Sequence, residues 1–150
     1  MTSRTILLSL HIAAIASWLG ADMLQYAMLG RWRKESVEGQ ASWARMQFYA
    51  HDRYYAVVAV LILLTGLGLV FDGDWSWGSN FIYVGLGAIV LGGVLGGVGL
   101  KGLAKKRIDA LAAGDTATAA AADKRALPIE IFLTAYVLVT ILAMVKKWGA

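Results

Sequence analysis

Four long apolar runs constrain this chain more than any other feature of its sequence. They cover about Thr5–Leu29, Tyr54–Phe71, Trp77–Leu100 and Ile129–Val145, and the middle two contain no charged residue. A helix needs about 20 mostly apolar residues to cross a hydrocarbon layer that is roughly 30 Å thick. The runs therefore predict an all-α membrane protein, in which residues 1–150 form one domain: a four-transmembrane-helix bundle with helical cytoplasmic extensions.

The amino-acid composition excludes several kinds of protein. The chain has no cysteine, which rules out disulfides, cysteine-ligated zinc, iron–sulfur clusters and thiol catalysis. The first apolar run is longer than the apolar core of about 7–15 residues in a secretory signal. We therefore expect the first run to be retained as a helix.

The basic residues indicate how the helices are oriented. Eleven of the 14 lie in two connections, residues 30–53 and 101–127, whereas the connection at 72–76 has none. The positive-inside rule then predicts a protein of the bacterial inner membrane with both basic connections in the cytoplasm and both termini outside. The expected partner of these charges is the lipid bilayer. Nucleic acid is not expected, because no recognition motif accompanies them.

The two basic connections are themselves predicted to contain helix. The third connection is rich in alanine, the best helix former. We expect the third span to continue past the membrane, turn at Gly114 with Asp115 or Thr116 as the next cap, and return to Pro128. Pro128 is expected to kink or restart the helix. In the first connection, Gln40–Tyr49 is predicted to form a short interfacial helix that leads into the second span.

Glycine forms two parallel rows in the third run. Gly92 and Gly96 make one row, and Gly93 and Gly97 make the other. Small residues at this spacing let helices approach closely in lipid. Tight packing within the bundle explains both rows. Alternatively, one row packs inside the bundle, and the other contacts a second copy of the chain or another membrane protein.

Ionisable side chains inside or at the edge of apolar runs are functional candidates, because they are costly in lipid. The candidates are His11, Asp22, His51, Asp52, Arg53 and Glu130. At 1.5 Å per residue, His11 and His51 differ in depth by roughly 25 Å. The two histidines are therefore not expected to share a metal ion or a haem.

His11 is the candidate ligand of a cofactor. Thr65, Gly85–Gly87, Thr140 and Met144 are expected at the same depth. Imidazole with thioether is an axial pair for haem and also suits copper. One reading is therefore a haem b or a copper ion held by His11 and Met144. The other is a structural histidine that bonds to a hydroxyl or carbonyl of a neighbouring helix.

The remaining candidates form a predicted polar cluster at the opposite depth, made of Asp22, His51, Asp52, Arg53 and Glu130. We expect Asp22 to face the bundle and to pair with a cation, with Arg53 as the leading partner. As chemistry, such a cluster is a proton relay or a site where ions enter. As structure, it is a set of interhelical salt bridges.

Several short motifs resemble known bacterial membrane families. Leu10-His11 followed by Ser17-Trp18-Leu19-Gly20-Ala21 is similar to the first helix of CopD-type copper-resistance domains and HemJ-type protoporphyrinogen oxidases. Over nearly its whole length the chain resembles the predicted integral membrane proteins of domain-of-unknown-function family 2269. That likeness includes Asp52-Arg53-Tyr54 and Leu64-Thr65-Gly66-Leu67-Gly68. The HemJ likeness implies haem chemistry at His11, and the CopD likeness implies copper.

Three functions are compatible with the sequence. The first is a non-catalytic accessory protein or membrane subunit, which the lack of a reaction motif favours over an enzyme. The second is a haem-binding redox protein that uses His11. The third is a small transporter or proton relay built on Asp22, Arg53 and Glu130.

Overall fold

The computed structural model describes residues 2–73 and 75–149, and these fold into four long helices. The helices are α1 (Ser3–Trp32), α2 (Val37–Phe71), α3 (Asn80–Ala112) and α4 (Thr116–Lys146). Each is long and apolar enough to cross a membrane, and the described residues contain no strand. The predicted all-α, four-helix membrane architecture is therefore confirmed.

Short connections make consecutive helices antiparallel, so the bundle has two distinct ends. At the end that we call the terminal end, the Ser3 hydroxyl donates to Asp72 at 3.3 Å and the Phe81 N–H donates to the Trp148 carbonyl at 3.1 Å. The opposite end, called the basic end, carries the connections after α1 and α3. There Arg33, which directly follows α1, pairs with Asp123 of α4 at 2.7 Å.

The basic-end extensions are helical, with one difference from prediction. Gly114 adopts a left-handed φ of 74°, and Asp115 caps α4 by accepting from the Thr118 N–H at 2.9 Å. The Thr118 hydroxyl and N–H together lower the pKa of Asp115. As predicted, α3 continues beyond its apolar run. However, α4 continues through Pro128 and does not restart there.

The helix predicted at Gln40–Tyr49 is present as part of Val37–Tyr49, and it leads into the second span as expected. Its position at the membrane interface stays a prediction. Ser36 caps α2 by accepting from the Gly39 N–H at 3.2 Å, and the helix then continues into the second apolar run. A π-helical segment, Ala50–Tyr54, joins the two parts. The backbone therefore stays helical from Val37 to Phe71.

A second π-helical segment, Gly92–Leu100, lies in α3 opposite the first. Such wide turns are frequent at functional sites. Nearby, the core between α1 and α2 is built on Trp18 and Tyr55, whose ring centroids are 5.1 Å apart. Many large apolar side chains outside this core are exposed, as expected for helices that face lipid.

Candidate functional site

An apolar cavity of about 430 Å³ opens between the four helices at the terminal end. Pockets for small molecules usually measure about 300–1,000 Å³. The lining is mostly leucine, isoleucine, valine and glycine, with Trp75, Phe81 and Met144 as further apolar members and His11 as its buried polar group. Two cationic side chains, Arg4 and Lys147, line its exposed end. This cavity, called the terminal cavity, suits a large apolar ligand that carries negative charge at one edge.

The ring of His11 is held in one orientation by the backbone of α2. Its Nδ1 lies 2.9 Å from Thr65 Oγ1, and the Thr65 hydroxyl donates its single hydrogen to the Leu61 carbonyl. When that hydrogen is on the Leu61 carbonyl, Thr65 accepts from Nδ1–H of His11, and Nε2 keeps a free lone pair. The expectation that His11 bonds to a hydroxyl on a neighbouring helix is confirmed.

Two glycines leave room for the candidate ligand side chains of the terminal cavity. A Cβ atom on Gly66 would lie 3.1 Å from His11 Cε1, and one on Gly85 would lie 2.8 Å from Met144 Cε. Larger residues at these positions would displace the imidazole and the thioether. The structure thus brings His11 and Met144 to the same cavity, as expected from their equal predicted depths in the membrane. Their role as ligands stays a prediction.

Asp22 is the centre of a second, polar site toward the basic end. The buried carboxylate accepts from the Tyr55 hydroxyl at 2.6 Å and from the Thr134 hydroxyl at 2.7 Å. Asp22 faces the bundle, as predicted, but its expected pairing with Arg53 is wrong. The Arg53 side chain is 74% exposed and pairs with Asp52 at 3.2 Å, because this part of the π-helical segment points it out of the bundle.

A hydrogen-bonded chain continues from Asp22 toward the basic end. The Tyr55 hydroxyl accepts from Gln25 Nε2 at 2.8 Å, and Gln25 Oε1 accepts from Gln47 Nε2 at 3.4 Å. Gln47 Oε1 in turn accepts from Arg107 at 3.1 Å. The chain therefore links α1, α2 and α3 through groups that are buried in the bundle.

An ion-pair cluster ends this chain at the basic end. The buried Arg107 guanidinium donates to Asp123 at 2.9 Å, and Asp123 also pairs with Arg33 at 2.7 Å. Sequence reasoning missed Arg107 and Asp123 because both lie in a connection full of charges. It also missed the roles of Tyr55, Gln47 and Thr134. Of these residues, only Gln25 was predictable as a neighbour of Asp22, because it lies three residues further along the same helix face.

His51 and Glu130 lie beside Asp22 but outside the hydrogen-bonded chain. Both border a cavity of about 30 Å³ next to Asp22 and a second cavity of about 10 Å³ next to Arg107. The His51 ring stacks on Tyr55 with centroids 5.2 Å apart. Asp52, by contrast, pairs with Lys101 at 2.5 Å. The predicted polar cluster is therefore divided into a buried group around Asp22 and a half-exposed ion pair.

Trp18 lies between the two sites. It borders the Asp22 cavity and also a void of about 40 Å³ that Met144 lines on the terminal side. His11 and His51 line different cavities, in agreement with the prediction that they share no ligand. Within residues 2–73 and 75–149, no three His, Cys, Asp or Glu side chains are grouped closely enough to hold a metal ion.

The two glycine rows of α3 have different surroundings. A Cβ on Gly92 would lie 3.0 Å from the Trp18 ring, and one on Gly96 would lie 3.8 Å from Leu133. Apart from the surrounding backbone of α3, no atom of the described residues lies within 4 Å of the corresponding positions on Gly93 and Gly97. The row of Gly92 and Gly96 therefore packs inside the bundle, as predicted for one of the two rows.

No protein-family model, curated protein or solved structure matches the chain. The fold defines the protein as a multi-pass, all-α membrane protein. The likeness to family 2269 and to the CopD-type and HemJ-type proteins stays a prediction.

Proposed function

We propose that the protein is a haem-binding membrane protein that holds haem b in the terminal cavity, where His11 would hold the iron. The observation that carries this proposal is the fixed ring of His11. Thr65 occupies Nδ1, so Nε2 keeps its lone pair, and His11 lines a cavity of about 430 Å³. A metal-binding histidine usually donates its other N–H to an oxygen in this manner.

The other residues of the terminal cavity fit a haem as well. Met144 lines the same cavity and offers a thioether, which would be a second group able to hold the iron. The apolar walls suit the macrocycle, and Arg4 and Lys147 at the exposed end would attract its two carboxylates. When bound, haem would supply one-electron transfer. The role of the chain is to bind the macrocycle, fix the imidazole tautomer through Thr65 and exclude water.

Copper is the weaker alternative for this site. Within residues 2–73 and 75–149, its lining offers one imidazole and one thioether as soft donors. Redox copper sites usually combine two histidines and a cysteine with a weak axial ligand, and the chain has no cysteine. A cavity of about 430 Å³ is also far larger than a single ion needs.

The orientation of the protein is part of the proposal. The positive-inside rule supports a bacterial inner membrane with the basic end in the cytoplasm. Arg4, Lys147 and the terminal cavity would then lie toward the outer face of that membrane. A haem in this position would be able to exchange electrons with a donor or acceptor outside the cytoplasm.

Titration of the purified protein with haem b, followed by visible absorption, tests the proposal. We expect a Soret band that saturates at one haem per chain in the wild type. His11→Ala should lose the band, and His51→Ala, which changes the histidine outside the cavity, should keep it. The proposal is wrong if the wild type shows no saturable band or if His11→Ala binds haem as the wild type does.

A second candidate function is that of a membrane subunit that associates through α3. The open row of Gly93 and Gly97, beside the exposed Val94 and Val98, favours it. Native mass spectrometry of the protein in lipid nanodiscs tests this candidate. Gly93→Leu should dissociate a homo-oligomer, whereas Gly20→Leu, at another glycine with open surroundings on α1, should not. A wild type that is monomeric and captures no partner would exclude it.

A further inference from the structure

The buried carboxylate of Asp22 has hydroxyl partners in place of a cation. Both of its oxygens accept hydrogen bonds, one from Tyr55 and one from Thr134. Among the described residues it takes part in no ion pair. An isolated charge inside a membrane is costly and marks ion or proton pathways. Asp22 therefore either carries a proton or exchanges its charge state with a group nearby.

The hydrogen bonds on one side of Asp22 can be reversed. Thr134 Oγ1 lies 2.8 Å from the Tyr26 hydroxyl, and either oxygen can be the donor. With Asp22 ionised, Tyr26 donates to Thr134, and Thr134 donates to Oδ2. With Asp22 protonated, Oδ2–H donates to Thr134, which then donates to Tyr26. Both charge states therefore keep a satisfied hydrogen bond at this oxygen.

The hydrogen bond between Tyr55 and Asp22 Oδ1, on the other side of the carboxyl group, cannot reverse its direction. Gln25 Nε2 donates to the Tyr55 hydroxyl at 2.8 Å, so the hydrogen of Tyr55 is directed to Asp22 Oδ1. An amide N–H cannot become an acceptor. A proton that reaches or leaves Asp22 is therefore directed to the Thr134 and Tyr26 side.

Glu130 connects that side to the basic end. It shares the cavity of about 30 Å³ with Asp22 and Tyr26. It also borders the cavity of about 10 Å³ beside Arg107 and Asp123. A water molecule needs roughly 10–15 Å³ of such space and a few polar partners. The larger cavity is thus large enough for water between Tyr26 and Glu130.

The groups that face Asp22 come from all four helices. Tyr26 lies on its own helix, His51 and Tyr55 on α2, and Glu130 on α4, whereas α3 contributes Gly92, Gly96 and Leu100, none of them ionisable. Arg107 and Asp123 are further along, at the basic end. On the terminal side, the indole of Trp18 closes the cavity.

We propose that Asp22 is a membrane-embedded proton-binding site that exchanges its proton with the basic end through Thr134, Tyr26 and Glu130. On uptake, an O–H bond of Glu130 or of a water molecule breaks and an O–H bond forms at Asp22 Oδ2. The hydroxyl hydrogens of Tyr26 and Thr134 each move one step toward Asp22. Arg53 has no part in this path. The site lies apart from the terminal cavity and does not depend on haem binding.

Infrared spectroscopy of the protein in nanodiscs tests the proposal, because a protonated carboxyl has its own carbonyl band, which shifts in D₂O. We expect a titrating band that Asp22→Asn removes and that Asp52→Asn, at the half-exposed ion pair, retains. The amide introduced by Asp22→Asn would still accept from Tyr55 and donate to Thr134, so the fold should persist. The intensity of this band should change with pH, and its pH dependence should stay the same when sodium replaces choline in the buffer.

The exchange path is tested by a second pair of variants. Thr134→Val should slow hydrogen–deuterium exchange of the carboxyl about tenfold, which corresponds to about 1.4 kcal/mol in the barrier. Thr140→Val is the matched control, since this buried hydroxyl on the same helix donates only to the Tyr136 carbonyl. If Asp22→Asn does not fold, the two threonine variants still test whether the proton of Asp22 exchanges through Thr134. A band that survives Asp22→Asn, a sodium-dependent titration, or equal exchange rates in both threonine variants would overturn the proposal.

Discussion

Removal of the Asp123 side chain should destabilise the protein far more than removal of Arg33 or Lys105, two more exposed cations at the basic end. Asp123 accepts from Arg107 at 2.9 Å and from Arg33 at 2.7 Å. The Arg107 side chain is only 5% exposed, whereas that of Arg33 is 43% exposed. Asp123→Ala would therefore leave a buried guanidinium with Gln47 as its remaining partner.

The size of each effect follows from this difference in burial. Loss of one partner of a buried ion pair costs about 3–5 kcal/mol. Because Gln47 keeps one hydrogen bond to Arg107, we expect a loss near the lower limit, about 3 kcal/mol, for Asp123→Ala. Arg33→Ala removes a partly solvated partner and should cost about 0.2–1 kcal/mol.

Chemical denaturation in detergent, followed by circular dichroism, measures these free energies of unfolding. Lys105→Ala is the control, because Lys105 forms an exposed pair with Asp109 at 3.0 Å. The double variant Asp123→Ala/Arg107→Leu should recover part of the loss, since apolar residues often replace a buried ion pair without penalty. Equal losses in Asp123→Ala and Arg33→Ala, or no recovery in the double variant, would show that the burial of Arg107 does not determine the cost.

Three further predictions concern the cavity, the glycine rows and the orientation. Thr65→Val removes the acceptor of His11 Nδ1–H and should weaken haem binding about 10–100-fold, as measured by absorption titration; unchanged affinity would show that the tautomer is not held by Thr65. Gly92→Ala places a Cβ 3.0 Å from the Trp18 ring and should lower the unfolding free energy by about 1–3 kcal/mol. Gly97→Ala, with open surroundings, should be neutral or stabilising, and similar losses in both variants would contradict this difference. Reporter fusions after Asp74 and after Ala113 should report the outer and the cytoplasmic side, respectively, and the reverse result would overturn the orientation.

Depth along the membrane was predictable from the sequence because helical rise is regular. Counting residues from the ends of the apolar runs brings His11 level with Thr65 and Met144, and the structure places all three at the terminal end. The same regularity correctly separated His11 from His51. The four helices and the turn at Gly114 followed from apolar length and glycine chemistry.

Rotation about each helix axis was not predictable in the same way. Arg53 has the right depth to reach Asp22, but it lies in a π-helical segment that no sequence pattern announced, and its side chain points outward. The pairing of Arg107 with Asp123 depends on how the extended ends of α3 and α4 pack together. In the sequence, Arg107 is one of six basic residues in its connection, and only packing distinguishes it.

A crystal structure grown from a lipid phase with added haem b would show whether His11 holds a haem in the terminal cavity. The proposed function predicts electron density for a macrocycle in the terminal cavity, with its iron on Nε2 of His11 and with Thr65 still bonded to Nδ1. A lipid chain in that cavity with His11 unligated, or a haem bound at His51 or on the protein surface, would contradict it.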